Sequence, residues 1–113
     1  MEAPYTTKIF QQRKFPRFIV ELPCLYSIEN GPEWNGTAVN LSRGGCAIVG
    51  TRPVQQGTYM RIQIFPSTSG PSIVIGLAPV RWVMNDQFGV EFISLSPPDQ
   101  QRLQSYVAYL EAD

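Results

Sequence analysis

Apolar and polar residues alternate with a period of two along most of this chain, and the period lengthens only near its end. The cleanest case is 58–65, where Met60, Ile62 and Ile64 face one way and Tyr59, Arg61 and Gln63 the other, which predicts a half-buried strand. Phe18 to Ile28 is rich in β-branched and aromatic residues and predicts another strand. Pro23 interrupts it, implying an edge or a bulge, because proline cannot donate to a ladder. Trp34 to Ser42 predicts a strand with Val39 and Leu41 on one face and Ala38, Asn40 and Ser42 on the other. Gly44-Gly45 then turns or bulges the chain into Cys46–Val49, and Gly50 closes that strand. Ile73 to Met84 reads as a long apolar strand with bends at Gly76 and Pro79, and Trp82 falls with its core-facing set. Asn85-Asp86 makes a tight turn into a last strand, where Phe88, Val90 and Phe92 alternate with Gly89 and Glu91.

The tail changes period. Ser96 is placed to cap a helix, with Pro97 at its first position and Asp99 at its third. Leu103, Tyr106, Val107 and Leu110 recur at helical spacing and form one apolar face. Six short strands and one terminal helix predict a mainly β protein, a six-stranded antiparallel barrel with a C-terminal α-helix packed on it. Residues 1–12 show no sustained period and are expected to form a flexible arm ahead of a single domain spanning 13–113.

Composition narrows the function. Hydrophobic residues make up 43% of the 113, enough for one core and too many for a disordered chain. Net charge is zero, which removes any whole-surface attraction to a nucleic acid polymer or an anionic membrane. The balance hides a polarity. Lys8, Arg13, Lys14 and Arg17 give residues 8–17 a local +4, whereas five acids against Arg102 give residues 85–113 a local −4. A basic cluster on a balanced protein suits a small anionic ligand. No apolar run approaches the ~20 residues that span a bilayer, and no signal-peptide layout begins the chain, so a cytoplasmic location without membrane insertion is expected. The chain has no histidine, and Cys24 and Cys46 lack metal-ligand spacing, so neither a metal nor a cofactor is expected. Both cysteines sit in apolar runs and are expected to be buried free thiols. Without histidine, a serine elbow or paired acids, an enzyme is not expected.

Two stretches carry binding chemistry. Arg13-Lys14-Phe15-Pro16-Arg17 precedes the first strand, and Pro16 keeps Phe15 out of helical geometry, so the two arginines spread along an extended segment. Arginine's planar fork matches phosphate oxygens or the O6/N7 edge of guanine. Asn40-Leu41-Ser42-Arg43-Gly44-Gly45 brings together an amide, a hydroxyl and paired glycines, and Gly45 permits close backbone approach.

In this order and spacing the two stretches resemble the PilZ domains, bacterial receptors for cyclic di-GMP. The family signature, Arg-x-x-x-Arg followed by Asp/Asn-x-Ser-x-x-Gly, is met by Arg13, Arg17, Asn40, Ser42 and Gly45 with 22 residues between the two halves. The resemblance covers roughly residues 10 to 111, and Pro79-Val80-Arg81-Trp82 and Phe88-Gly89-Val90-Glu91-Phe92 look like the family's last two strands. It implies a PilZ-like barrel that binds rather than catalyses. A mobile basic arm would close over cyclic di-GMP and present a new surface to an unidentified protein target, the receptor being a monomer or a homodimer. Arg13 and Arg17 would clamp phosphate and guanine, Asn40 and Ser42 would hydrogen-bond a guanine edge, and Gly45 would leave room. Gln12, just before the arginine motif, bears on whether one ligand or an intercalated pair is held. Lys14, Arg43, Gly44 and Arg81 are further candidates for the same site. The alternative is a PilZ-fold adaptor that works by protein contacts without the nucleotide.

Overall fold

Six strands wrap into a closed antiparallel barrel in the computed structural model, which describes residues 15–112. The strands are β1 (Phe18–Ile28), β2 (Trp34–Leu41), β3 (Gly45–Gly50), β4 (Tyr59–Ile64), β5 (Ile73–Met84) and β6 (Gln87–Glu91), followed by α1 (Pro97–Glu111). Around the barrel they run β1-β2-β3-β6-β5-β4, so every strand has two partners and no edge is left open. The predicted strands and helix all form, with ends shifted by a residue or two. The expected arm of residues 1–12, and Gln12, Arg13 and Lys14 with it, lies outside the described residues.

The inward-facing residues make one core that includes Tyr26, Leu41, Ile48, Ile62, Ile75, Val80 and Phe88. Tyr26 packs edge-on against Phe88 and Trp34, with ring centroids 5.2 and 5.6 Å apart. Its hydroxyl donates to the Arg52 carbonyl at 2.8 Å and accepts from the Arg52 amide at 2.9 Å, so the one polar atom of a fully buried ring is satisfied. Pro23 sits where β1 passes the end of β4: Phe65 N donates to the Pro23 carbonyl, one residue beyond the last pair of that ladder. Pro23 stays in register with Thr37 of β2, and its missing N–H faces β4 just beyond the last pair of that ladder. Asn85 adopts a φ of 58° in the two-residue β5–β6 turn, a conformation asparagine tolerates. Cys24 and Cys46 are buried free thiols. Burial pushes Cys24 up to about 12, and burial together with the nearby Cys24 moves Cys46 upward as well.

Bulges decide which side chains face out. The β2–β3 register gains an extra residue at Val39, so Ala38 and Leu41 both enter the core and Asn40 turns outward. The simple alternation that grouped Ala38 with Asn40 is broken there. A second extra residue, Arg81, interrupts the β5–β6 register. Val80 points inward, but Trp82, two residues on, lands opposite Gly89 on the outer face. Trp82 is thus not a core residue, contrary to the expectation from alternation. The bend expected at Gly76 is also present: the β4–β5 register shifts between Ile75 and Ala78, and Gly76 N donates to the Ser94 carbonyl.

Helix α1 lies against β5 through Leu103 and Val107, with Tyr106 and Leu110 partly buried beside them. Ser96 caps it as expected, accepting from Asp99 N. Asp99 does more than its place in the first turn requires. Its carboxylate accepts from Val74 N of β5 at 2.9 Å, Ser96 Oγ at 2.7 Å and Arg102 Nη1 at 3.1 Å, pinning the helix start to the barrel. Burial raises the Asp99 carboxyl, but the hydrogen bonds and the Arg102 charge outweigh it and hold it below its ordinary 3.8. A depressed folded pKa stabilises the fold above the unfolded value and loses that contribution as pH falls through the folded one. Asp99→Asn is therefore expected to blunt the loosening of the helix start below about pH 4, followed as amide exchange at Val74. An exchange profile identical to wild type would remove Asp99 from that role.

Candidate functional site

Asn40 is the fixed centre of the outer face. Its Oδ1 accepts from Ala47 N on β3 at 3.0 Å and from Arg17 Nη1 at 2.9 Å. Both partners are donors, so the amide orientation is unambiguous and Nδ2 points away from them. The first bond belongs to the bulged ladder. The second joins the two signature stretches, 23 positions apart in sequence. Arg17 is half-buried, and its Nη2 lies 3.5 Å from where a Cβ on Gly45 would stand. One guanidinium group thus spans Asn40 and Gly45.

Ser42 builds the turn. Its hydroxyl accepts from Gly44 N and Gly45 N, both at 3.1 Å, and donates to the Gly45 carbonyl at 3.3 Å, while Ser42 N donates to the same carbonyl at 2.9 Å. That engages the hydroxyl's donor and both acceptor positions, and Ser42 is only 3% exposed. In this structure the hydroxyl shapes the loop from below. Gly45 is buried opposite Glu91 of β6, and a Cβ there would run into the Val90 carbonyl oxygen. Its missing side chain makes room for strand β6.

The other candidates lie around this centre. Arg43 is exposed and pairs with Glu111 at the end of α1 at 3.6 Å. Arg81 pairs with Glu91 at 2.7 Å, on the strand beside Gly45. Both pairs are solvent-exposed and worth at most about 1 kcal/mol, so either arginine is released readily to a stronger anion. Gly44 lies beneath the Phe15 ring. Gln12, Arg13 and Lys14 fall outside the described residues.

Trp82 also lies on this outer face, a placement that alternation did not indicate. Asn40, Ala47, Gly89 and Trp82 are successive cross-strand partners from β2 to β5, so they share the outer face. The Trp82 indole covers Gly89 so closely that a Cβ there would overlap its Nε1. A flat, partly buried aromatic plane therefore sits on the same face as Asn40 and Arg17. Glycine at an outward position between Phe88 and Val90 was the signal that something large lies across it. A roomier groove of about 730 Å3 runs between the 66–71 loop and α1, but none of the signature residues lines it.

The site can place a forked cation, an amide donor and an aromatic plane around a planar anionic ligand. Among the described residues no group of three or more Cys, Asp or Glu side chains gathers for a metal, and no helix is long and apolar enough to cross a membrane.

The PilZ domain family model matches residues 11–109, and the chain belongs to that family. Among solved structures, the Bacillus subtilis inhibitor of motility MotI/DgrA is 25% identical, with a TM-score of 0.75 over 90% of this chain and 52% of its own. Escherichia coli YcgR in complex with c-di-GMP is 18% identical, with a TM-score of 0.70 over 89% of this chain and 46% of its own. The K. pneumonia MrkH–c-di-GMP complex is 21% identical, with a TM-score of 0.69 over 90% and 54%. The chain therefore spans about half the length of these proteins. It spans 98% of the PilZ domain of CeSA from a cellulose-synthesizing bacterium, at 17% identity and a TM-score of 0.66. No curated protein matches the sequence.

Proposed function

We propose that this chain is a receptor for cyclic di-GMP that passes its ligand state to a protein target in the cytoplasm. The observation that carries the reading is the Arg17–Asn40 hydrogen bond, which joins the two halves of the signature on one outer face. Arg17 presents its planar guanidinium fork to a phosphate or a guanine edge. Asn40, with Oδ1 doubly occupied, offers Nδ2–H to a purine acceptor. Trp82 supplies a plane for a base to lie against. Ser42 and Gly45 act indirectly, by holding the turn and seating it against β6. Arg13 belongs to the proposal as the second clamp, on the strength of the signature. Buried reduced thiols are in keeping with a reducing compartment.

Calorimetric titration with cyclic di-GMP tests the proposal and also counts ligands per chain. Saturable heat that linear pGpG and GMP fail to reproduce is the expected result. Absence of binding at millimolar ligand would instead leave a PilZ-fold adaptor acting through protein contacts.

A further inference from the structure

We propose that Phe15 is a positioning residue: its ring, seated on Gly44, holds the arginine segment against the barrel so that Arg17 is presented to ligand already in place. Neither Phe15 nor Gly44 belongs to the five signature positions. The inference rests on the receptor reading for its effect on affinity, but not for its effect on the free protein.

A Cβ on Gly44 would stand 3.0 and 3.3 Å from two carbons of the Phe15 ring, so the ring rests directly on backbone. Contacts that short are tolerated only if the ring moves, which makes glycine at 44 part of the seat. The ring also forms one wall of a cavity of about 550 Å3, shared with Gly44, Phe92, Leu95, Leu103 and Gln104. Phe92 and Leu95 pack on the main core, and Leu103 is part of it. Phe15 thus rests on the turn and faces the end of β6 and helix α1 across that cavity. Pro16 follows and restricts Phe15 to extended geometry, which fixes the path between ring and guanidinium. Two residues on, Arg17 lands on Asn40. The segment is therefore held at two points on either side of the Asn40–Gly45 stretch, one apolar and one polar.

The physical consequence is preorganisation. An arginine free to sample rotamers and backbone states loses that freedom when it grips a ligand, and this weakens binding. An apolar anchor two residues away removes most of that loss beforehand without occupying any donor of the guanidinium.

The test uses Phe15→Ala, Phe15→Leu and Gly44→Ala in the full chain, with hydrogen exchange on the free protein and cyclic di-GMP titration on the same samples. In the free protein, Phe15→Ala and Gly44→Ala should each speed amide exchange at Arg17 and Phe18, while Phe15→Leu stays near wild type. In titration the first two should weaken binding about tenfold with a thermal midpoint close to wild type, and Phe15→Leu should restore most of the affinity. The Phe15→Ala/Gly44→Ala double variant should lose no more than either alone, because both remove one contact. Unchanged exchange at Arg17 and Phe18 in both Phe15→Ala and Gly44→Ala overturns the inference, as does wild-type affinity in both. Should Phe15→Ala fail to fold, Gly44→Ala alone decides it. A wild type that binds no ligand would defeat the receptor reading, and the exchange result would still settle whether Phe15 anchors the segment.

Discussion

Arg17→Ala is expected to weaken cyclic di-GMP binding about a hundredfold while leaving the barrel folded. The two effects separate because Arg17 lies outside the strands and gives Asn40 only one of its two bonds. After substitution Asn40 Oδ1 still accepts from Ala47 N, so no buried acceptor is orphaned and stability should change by less than about 1 kcal/mol. The ligand, in contrast, loses charge-assisted contacts worth about 1.5–3 kcal/mol each. Arg17→Lys sharpens the point. A lysine keeps the charge but has no fork, so it cannot hold Asn40 and a phosphate or base edge in fixed geometry together. It should recover only a small part of the lost affinity. Calorimetry on the three proteins, with thermal melts alongside, makes the comparison. Wild-type affinity for Arg17→Ala would move the site away from the Arg17–Asn40 junction altogether.

Gly45→Ala should act through the fold first. The added methyl meets the Val90 carbonyl oxygen inside van der Waals contact, and that atom belongs to strand backbone with β5 on its far side. Relief requires β3 and β6 to move apart at the pair Gly45–Glu91, next to the Phe92 N to Gly44 carbonyl bond. Overpacking of this kind costs about 1–3 kcal/mol, or a fall of the order of 10 °C in thermal midpoint. The turn that orients Ser42 and supports Arg17 would shift with it, so affinity should fall as well. Gly76→Ala is the matched control: its nearest atom, the Ser94 carbonyl oxygen, is 3.7 Å away, an ordinary contact. Equal midpoints for the two variants would show that β6 does not press on Gly45.

Two arginine pairs, Arg43–Glu111 and Arg81–Glu91, lie at the rim of the site. Each is exposed and held by a carboxylate of this chain, so the local field that an incoming dianion meets is partly neutralised.

Much of the barrel was legible before any coordinates. Period-two alternation, turn residues at Asn85-Asp86 and the Ser96–Asp99 cap are local properties, set by neighbours one to four residues away, and they marked every strand and the helix. The signature spacing likewise located the stretches that meet. The sequence determined which residue types are present and roughly on which element each one sits. Tertiary structure decided which way they face and what they touch. Val39 and Arg81 are ordinary residues whose extra positions become bulges only when a partner strand sets the register, and those bulges turn Asn40 and Trp82 outward. Ser42 reads as a free hydroxyl until the turn folds its two amides onto it. Gly45 reads as room for a ligand until β6 arrives and Val90 takes that room. Each of these depends on a strand distant in sequence, and pairing between distant strands is what the local pattern of a chain leaves open.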